Sequence, residues 1–327
     1  MPFHLLSVHM QIAFLGSGEF GIPCLEALVR SEHRIDLVVT QPARSAGRGR
    51  MVTCTAVAQW AQANDIVLIE AHDVNASQIV RQIASREPDV IVVIAFGQKI
   101  GNELIGLASK GAINVHASLL PKYRGAAPIN WAIVNSERET GISIITLAEK
   151  MDAGDIIAQC STTIGPNETA GELHDRLAQM SGPLLIESLD KIADGTAIYA
   201  RQDHSQATLA PKLKKSDGYL DFNEPADVLR RKILGFWPWP GASANYLSRS
   251  TGKTTRVTIA MADVVDCTNP ANLPAGTFDS QLNVICGRNA LKITKIKPDG
   301  SKLMSFRAFA NGRATQPGDM FVKISEE

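Results

Sequence analysis

Continuous apolar runs alternate with helical patterns along the first half of the chain. The runs lie at residues 11–15, 35–40, 66–69, 90–95 and 112–115, and the helical patterns at residues 22–30, 53–64, 76–86 and 102–108. Runs of Ile, Val and Leu without polar alternation are typical of parallel strands that are covered on both faces. This order of elements predicts an α/β fold with a doubly wound, mostly parallel, Rossmann-like sheet.

Further patterns extend this domain and then change in style. Strands are predicted at residues 141–147 and 155–163, and a helix at residues 170–193. Thr169 and Glu172 have the spacing of a capping box at the start of that helix. After residue 201 a basic linker segment leads to a helix at residues 225–233 and to short strands at residues 242–247, 256–262, 283–286 and 291–297. Short strands separated by turn residues predict a small, OB-like β-barrel.

These patterns divide the chain into four parts. We expect an N-terminal extension at residues 1–9, a catalytic domain at residues 10–202, a linker at residues 203–215 and a C-terminal β-barrel domain at residues 216–327.

Composition excludes several classes of protein. The 327 residues are 45% hydrophobic and 20% charged, which is ordinary for a globular protein. No apolar stretch approaches the ~20 residues that span a bilayer, so we expect no membrane partner. The five cysteines are scattered, which argues against a disulfide framework or a metal site and favours a reducing cytoplasm. No sequence feature indicates an obligate protein partner.

Charge is balanced in total but not along the chain. Residues 1–211 hold 16 Lys and Arg against 22 Asp and Glu, whereas residues 212–327 hold 17 against 11. A basic C-terminal part is expected of a nucleic-acid-binding module. Random surface variation would explain the charge equally well on its own.

The residues that most strongly indicate chemistry follow the fifth apolar run. Asn114 and His116 stand two positions apart, so both side chains leave the same face at the carboxyl end of a strand. Ligands of open α/β sheets bind at that end. An amide N–H can stabilise a developing oxyanion, and an imidazole exchanges protons near neutral pH. We identify both residues as catalytic candidates, although a lone His at a strand end is more often structural.

A carboxylate that orients the imidazole would complete such a site. Asp152 and Asp155 share one turn between two strand patterns, and their spacing leaves the choice open. Next to the candidate pair, residues 118–125 form a loop with apolar residues, in which the Leu120–Pro121 bond is a candidate cis peptide. Apolar loop residues beside polar groups suit a flat heteroaromatic ligand.

Two glycine- or arginine-rich segments admit other interpretations. Residues 16–21 match G-x-G-x-x-G, and Asp36 follows at the distance of a ribose contact, as in a nucleotide-dependent dehydrogenase. We favour close packing of strand and helix as the role of these glycines. Residues 41–50 carry Arg44, Arg48 and Arg50 and no acid, which suits a phosphate backbone or a solvated surface loop.

Five motifs are spread over the chain from Met10 onward: Asn114-Val-His-Ala-Ser-Leu-Leu-Pro, Phe14-Leu-Gly-Ser-Gly-Glu-Phe, Val93-Ile-Ala-Phe-Gly, Met151-Asp-Ala-Gly-Asp and Phe236-Trp-Pro-Trp-Pro-Gly. In these motifs the chain resembles the methionyl-tRNA formyltransferase family of folate-dependent enzymes. The resemblance departs from the family pattern at residues 51–59. The family's loop commonly runs into a Pro-rich segment that ends in Lys, and this stretch has neither the prolines nor the Lys.

The resemblance implies a reaction and a site. The formyl group of 10-formyltetrahydrofolate, a co-substrate, would move to the α-amino group of methionyl initiator tRNA for translation initiation, without a metal. Asn114 would bind the oxygen of the tetrahedral intermediate, His116 would stabilise it, and Asp152 would orient His116 and help to take the amine proton. The implied folate contacts are Ile94, Phe96, Gly97, Ser118, Leu119, Leu120 and Pro121, and the implied tRNA contacts are Arg44, Arg48 and Arg50.

Other functions remain open at this point. A formyltransferase that acts on an amino-sugar nucleotide is the nearest alternative, followed by a domain that releases formate from the same folate. An oxidoreductase rests only on the glycine motif, and an RNA-binding module without catalysis would leave the candidate trio without a role.

Overall fold

The computed structural model describes residues 9–46, 51–268 and 272–325. Two compact units emerge. The first consists of the described residues up to Gly125, together with Glu139–Thr163 and His174–Ala210, and the second of Ala126–Arg138, Ile164–Leu173 and the residues from Pro211 onward. The unit boundaries follow three-dimensional packing rather than chain order, because two short segments that precede residue 174 group with the C-terminal residues.

The first unit is built on a seven-stranded sheet, and two short strand pairs accompany it. The described residues of this unit form the strands β1 (Gln11–Gly16), β2 (Arg34–Thr40), β3 (Arg44–Ala46), β4 (Met51–Thr53), β5 (Leu68–Glu70), β6 (Val90–Ile94), β7 (Ala112–His116), β8 (Arg124–Gly125), β9 (Glu139–Thr146), β10 (Ile156–Thr163) and β11 (Leu209–Ala210). The main sheet has the order β10-β9-β7-β6-β1-β2-β5. The five strands β7, β6, β1, β2 and β5 are parallel to one another, and β9 and β10 add an antiparallel edge beside β7.

Eight α-helices accompany the strands in the described part of the chain. They are α1 (Ile22–Val29), α2 (Ala56–Ala63), α3 (Ser77–Ala84), α4 (Asn102–Ile105), α5 (Pro128–Val134), α6 (Ala170–Ala193), α7 (Ala226–Gly235) and α8 (Phe306–Arg313). The capping box of α6 forms as the sequence predicts: Thr169 N–H donates to Glu172, and Glu172 N–H donates to the Thr169 hydroxyl. No described helix is both long enough and apolar enough to cross a bilayer.

The second unit contains an antiparallel sheet that nearly closes into a barrel. Its strands are β12 (Ala242–Leu247), β13 (Thr254–Val265), β14 (Val284–Ile285), β15 (Ala290–Pro298), β16 (Met304–Ser305) and β17 (Met320–Val322). The sheet runs β14-β15-β13-β12-β17, and β16 also pairs with β15. Bridges from Thr277 to Met320 and from Phe278 to Val284 link its two outer strands. The predicted α/β sheet and C-terminal barrel are thus both present.

Several short elements escape the sequence patterns. No sequence pattern predicts α5 or α8, although Pro128 stands at the start of α5 and the Ser305 side chain caps α8. Residues 44–46 of the predicted arginine loop form β3 and pair with β4, which begins directly after that loop. Residues 209–210 of the predicted linker pair with β8 inside the first unit. The predicted extension, residues 1–9, lies outside the described residues except for its last position.

The glycine motif after β1 is explained by packing. A Cβ atom on Gly16 would lie 2.6 Å from the ring of Phe14 and 3.0 Å from the carbonyl oxygen of Ile94. Asp36, the candidate ribose ligand, forms an ion pair of 3.1 Å with Arg34. These contacts agree with the structural interpretation of the motif.

Candidate active site

His116 ends β7 and its side chain is almost fully buried. The imidazole Nε2 lies 2.9 Å from the backbone carbonyl oxygen of Tyr123. A carbonyl oxygen can only accept, so Nε2 carries a hydrogen. This bond fixes the tautomer and leaves Nδ1 as the nitrogen that can exchange a proton.

Asp152 faces that free nitrogen. Its Oδ2 lies 3.7 Å from His116 Nδ1 and accepts a hydrogen bond of 2.8 Å from the backbone N–H of Gly125. Its Oδ1 accepts from the side-chain amide of Asn114 at 3.4 Å. The structure therefore brings Asn114, His116 and Asp152 together. Period-two alternation predicts that the first two share a face, and the family resemblance implies Asp152 as their partner. Their catalytic roles remain a prediction.

The turn that carries Asp152 also decides between the two carboxylates. Asp152 has a φ of +52°, which is uncommon for a residue other than glycine. A Cβ atom on Gly154 would lie 1.7 Å from the backbone oxygen of Thr146, so the turn packs against β9 only with glycine there. The backbone of Asp155 instead pairs with Thr146. The carboxylate beside His116 is that of Asp152.

Hydrogen bonds from side chains of β9 and β10 hold the loop formed by residues 118–121. Ser143 on β9 donates to the Ser118 carbonyl at 2.6 Å and accepts from the Leu120 N–H at 3.1 Å. Gln159 on β10 donates both to the Leu120 carbonyl and to the Ser143 hydroxyl. The Leu120–Pro121 peptide is cis, as the sequence suggests. The Ser118 hydroxyl is used within the loop, because it donates to the Lys122 carbonyl.

The loop divides into buried and accessible side chains. Ser118 and Leu120 are buried, whereas Leu119 and Pro121 are half-buried. The accessible positions are therefore apolar, and they follow the polar catalytic candidates directly in the chain. This arrangement fits one apolar ligand face more readily than a charged one.

The other predicted folate contacts lie on the neighbouring strand. β6 pairs with β7 through Val93 and Asn114, so Ile94, Phe96 and Gly97 follow beside the catalytic candidates. The side chains of Ile94 and Phe96 are buried in the core, so these residues would meet a ligand through their backbone. Gly97 is exposed and has a φ of +78°.

Of the three predicted tRNA contacts, the structure describes Arg44. Arg44 is exposed at the start of β3 and pairs with Thr53 of β4. Arg48 and Arg50 lie outside the described residues. A cleft of about 530 Å³ in the second unit is lined in part by Arg230 and Lys295, and it contains none of the catalytic candidates.

Sequence reasoning missed the backbone and side-chain groups that support this site. Tyr123 and Gly125 act through their main chains, which no side-chain pattern reveals. Gln202 donates to the carbonyl oxygens of Asp152 and Gly154 from fifty and forty-eight positions away in the chain. A contact over that distance leaves no local signal.

Comparison with known proteins supplies the family. The profile described as "Formyl transferase" matches residues 10–189, and the profile "Formyl transferase, C-terminal domain" matches residues 212–314. Methionyl-tRNA formyltransferase of Geobacter metallireducens is 37% identical over 309 residues, which cover 94% of this chain and 97% of that protein. The chain belongs to the methionyl-tRNA formyltransferase family. The family resemblance and the prediction of a formyl-transferring enzyme are confirmed.

Other relatives agree with this membership. Methionyl-tRNA formyltransferase of Caldanaerobacter subterraneus subsp. tengcongensis is 38% identical over 313 residues, with 94% of this chain and 99% of that protein covered.

Solved structures with low sequence identity share the fold. HypX from Aquifex aeolicus in complex with tetrahydrofolic acid superposes with a TM-score of 0.64 at 18% identity; 98% of this chain matches 51% of HypX, so the chain spans about half of that protein. The N-formyltransferase from Helicobacter canadensis, in complex with folinic acid and dTDP-3-aminofucose, gives 0.59 at 15% identity over 87% of this chain and 99% of that one. The predicted fold class is confirmed.

Proposed function

We propose that this protein transfers the formyl group of 10-formyltetrahydrofolate to the α-amino group of methionyl initiator tRNA. The observation that carries the proposal is the convergence of Asn114 and His116 of β7 with Asp152 of the turn between β9 and β10. The family relatives support the choice of substrate, since proteins of that name match nearly the whole chain at 36–38% identity. We also propose that the protein acts in the cytoplasm, because initiator tRNA is used in that compartment.

The three side chains divide the chemical work. Asn114 is placed to donate an amide hydrogen to the formyl oxygen as that oxygen gains negative charge. His116 holds or releases a proton at Nδ1, because its Nε2 is committed to Tyr123. Asp152 stabilises the imidazolium form and keeps the ring in position.

The reaction itself needs little more. The formyl donor supplies a carbonyl carbon and leaves as tetrahydrofolate. The attacking α-amino group has a pKa of about 7.7 in model compounds, so a neutral amine is accessible near neutral pH. One N–H proton of the amine must leave as the C–N bond forms, and the adjoining pair of His116 and Asp152 is the route for it.

Binding of the two substrates is assigned to two regions. The half-buried Leu119 and Pro121, with the backbone of Ile94, Phe96 and Gly97, would bind the flat folate ring system. Arg44, with Arg48 and Arg50, would bind tRNA phosphates, and the excess of basic residues between positions 212 and 327 supports a polyanionic partner.

The substrate is tested by direct comparison. Purified protein with 10-formyltetrahydrofolate is offered methionyl initiator tRNA in one reaction and an amino-sugar nucleotide in another, and formylated product is measured by mass spectrometry. We expect rapid formylation of the aminoacyl-tRNA alone. Formylation of the amino sugar without the tRNA would replace the proposal by the alternative, and formate release without either acceptor would indicate a hydrolase.

A further inference from the structure

The segment at residues 200–210 crosses the two loops that hold the catalytic candidates. At one end Ala200 and Ile156 exchange two backbone hydrogen bonds of 2.8 Å beside β10. At the other end Leu209–Ala210 forms β11 and pairs with Arg124–Gly125. Thr208 accepts from the backbone N–H groups of Tyr123 and Arg124. Residues 203–210 of this segment belong to the predicted linker by their sequence, yet they group with the first unit.

Gln202 is the buried side chain of that segment, with 6% of its surface exposed. Its Nε2 donates to the carbonyl oxygens of Asp152 at 2.9 Å and Gly154 at 2.7 Å. Its Oε1 accepts from Arg124 Nε at 3.2 Å and Nη2 at 2.6 Å. Both donor hydrogens and both acceptor sites of the amide are therefore used.

The four bonds join the two sides of the candidate active site. On one side, Gln202 holds the turn in which Asp152 adopts its positive φ, a conformation that persists only when its surroundings enforce it. On the other side it holds Arg124. That residue stands between Tyr123, whose carbonyl binds His116, and Gly125, whose N–H binds the Asp152 carboxylate.

We propose that Gln202 is a positioning residue for formyl transfer, which sets the Asp152 carboxylate against His116 by fixing both loops at once. This inference rests on the proposed function for its kinetic readout. A displacement of about 1 Å within a catalytic arrangement lowers rates by about 100-fold, so this bridge has a measurable effect on turnover.

Two substitutions and a matched control test the bridge. Gln202→Leu removes all four bonds. Gln202→Glu keeps an acceptor for Arg124 but removes both donors to the Asp152 turn. Gln206→Ala, in the same segment, alters an exposed glutamine whose amide donates only a local bond of 2.8 Å to Asp203.

Kinetics supply the first readout. We expect both Gln202 variants to lower kcat by about 10- to 100-fold, with KM for the formyl donor within about twofold of wild type. The donor KM is spared because Ser143 and Gln159, not Gln202, hold the loop of Leu119 and Pro121. Gln206→Ala should match wild type in both constants.

A substrate-free readout separates this inference from the proposed function. The Gly125 amide proton is bonded to Asp152, and its exchange with solvent, measured by NMR, should accelerate in the Gln202 variants and not in Gln206→Ala. Faster exchange of the Gly125 amide supports the bridge by Gln202 whether or not the wild-type protein formylates methionyl-tRNA. A wild-type protein that does not formylate methionyl-tRNA would remove only the proposed function. Unchanged Gly125 exchange, a wild-type kcat in Gln202→Glu, or a parallel loss of kcat, donor affinity and melting temperature would overturn the inference.

Discussion

Asp152 Oδ2 and His116 Nδ1 face each other at 3.7 Å, and the nitrogen on the far side of the ring is already bonded to Tyr123. Among the described contacts of the ring, the carboxylate therefore lies on the side of Nδ1, the nitrogen that can exchange a proton. Gly125 binds the same carboxylate oxygen, so the acid is oriented as well as close. The separation is an ion-pair distance, longer than a direct hydrogen bond, so the carboxylate acts on the imidazole by charge in this structure.

Replacing that carboxylate by its amide tests the relationship. We expect Asp152→Asn to lower kcat by about 100-fold or more, because a neutral amide of the same size cannot stabilise the imidazolium form. Single-turnover formyl transfer measures the loss, and a thermal melt serves as the control for folding. A kcat close to wild type would show that the carboxylate takes no part.

Asn114 supplies the amide hydrogen at the same edge. Asn114→Ala should lower turnover by about 100-fold or more, which is the usual effect of losing an oxyanion donor. Asn114→Asp is the sharper variant, because it keeps the size of the side chain but cannot donate when ionised. Steady-state turnover that survives either change would remove Asn114 from the mechanism.

Ser143 is the buried group on which the proposed folate loop rests. Ser143→Ala removes a donor to Ser118 and an acceptor for Leu120, and it leaves buried polar groups without partners at a cost of about 1–3 kcal/mol. We expect a higher KM for the formyl donor and a lower melting temperature. Ser161→Ala, at an exposed position on β10, is the matched control. An unchanged donor KM would contradict the assignment of this loop to folate.

Sequence patterns were sufficient for the elements that carry the catalytic candidates. The apolar run before Asn114 predicts β7, and period-two alternation predicts that Asn114 and His116 share a face, because both follow from local chemistry. The choice of Asp152 over Asp155 could not be made in this way. It depends on the backbone of a turn and on the oxygen of Thr146 that packs against it.

The remainder of the site depends on contacts distant in the chain. Gln202 reaches the Asp152 turn across fifty residues, and its own segment has the composition of a linker. The short pairing of β8 with β11 has no apolar run of its own to reveal it. Such elements form because neighbouring backbones need hydrogen-bond partners, which becomes evident only in three dimensions.

Arg44 gives the tRNA proposal a separate test. Arg44→Ala should weaken tRNA binding and reduce the slope of log K against log salt by about one, because one phosphate contact is lost. Formyl-donor KM should not change. Arg34→Ala is a fitting control, since Arg34 begins β2, outside the β3–β4 pair that carries Arg44, and is paired with Asp36. Equal salt slopes for wild type and Arg44→Ala would contradict a phosphate contact at Arg44.

The proposed mechanism depends on His116, oriented by Tyr123 and Asp152, as the proton-exchanging group of a formyl transfer to methionyl-tRNA. Single-turnover transfer from 10-formyltetrahydrofolate, measured for wild type and His116→Ala at saturating concentrations of both substrates, tests it most directly. We expect rapid transfer by wild type and a loss of about 100-fold or more in the variant. Transfer by His116→Ala at the wild-type rate would contradict it.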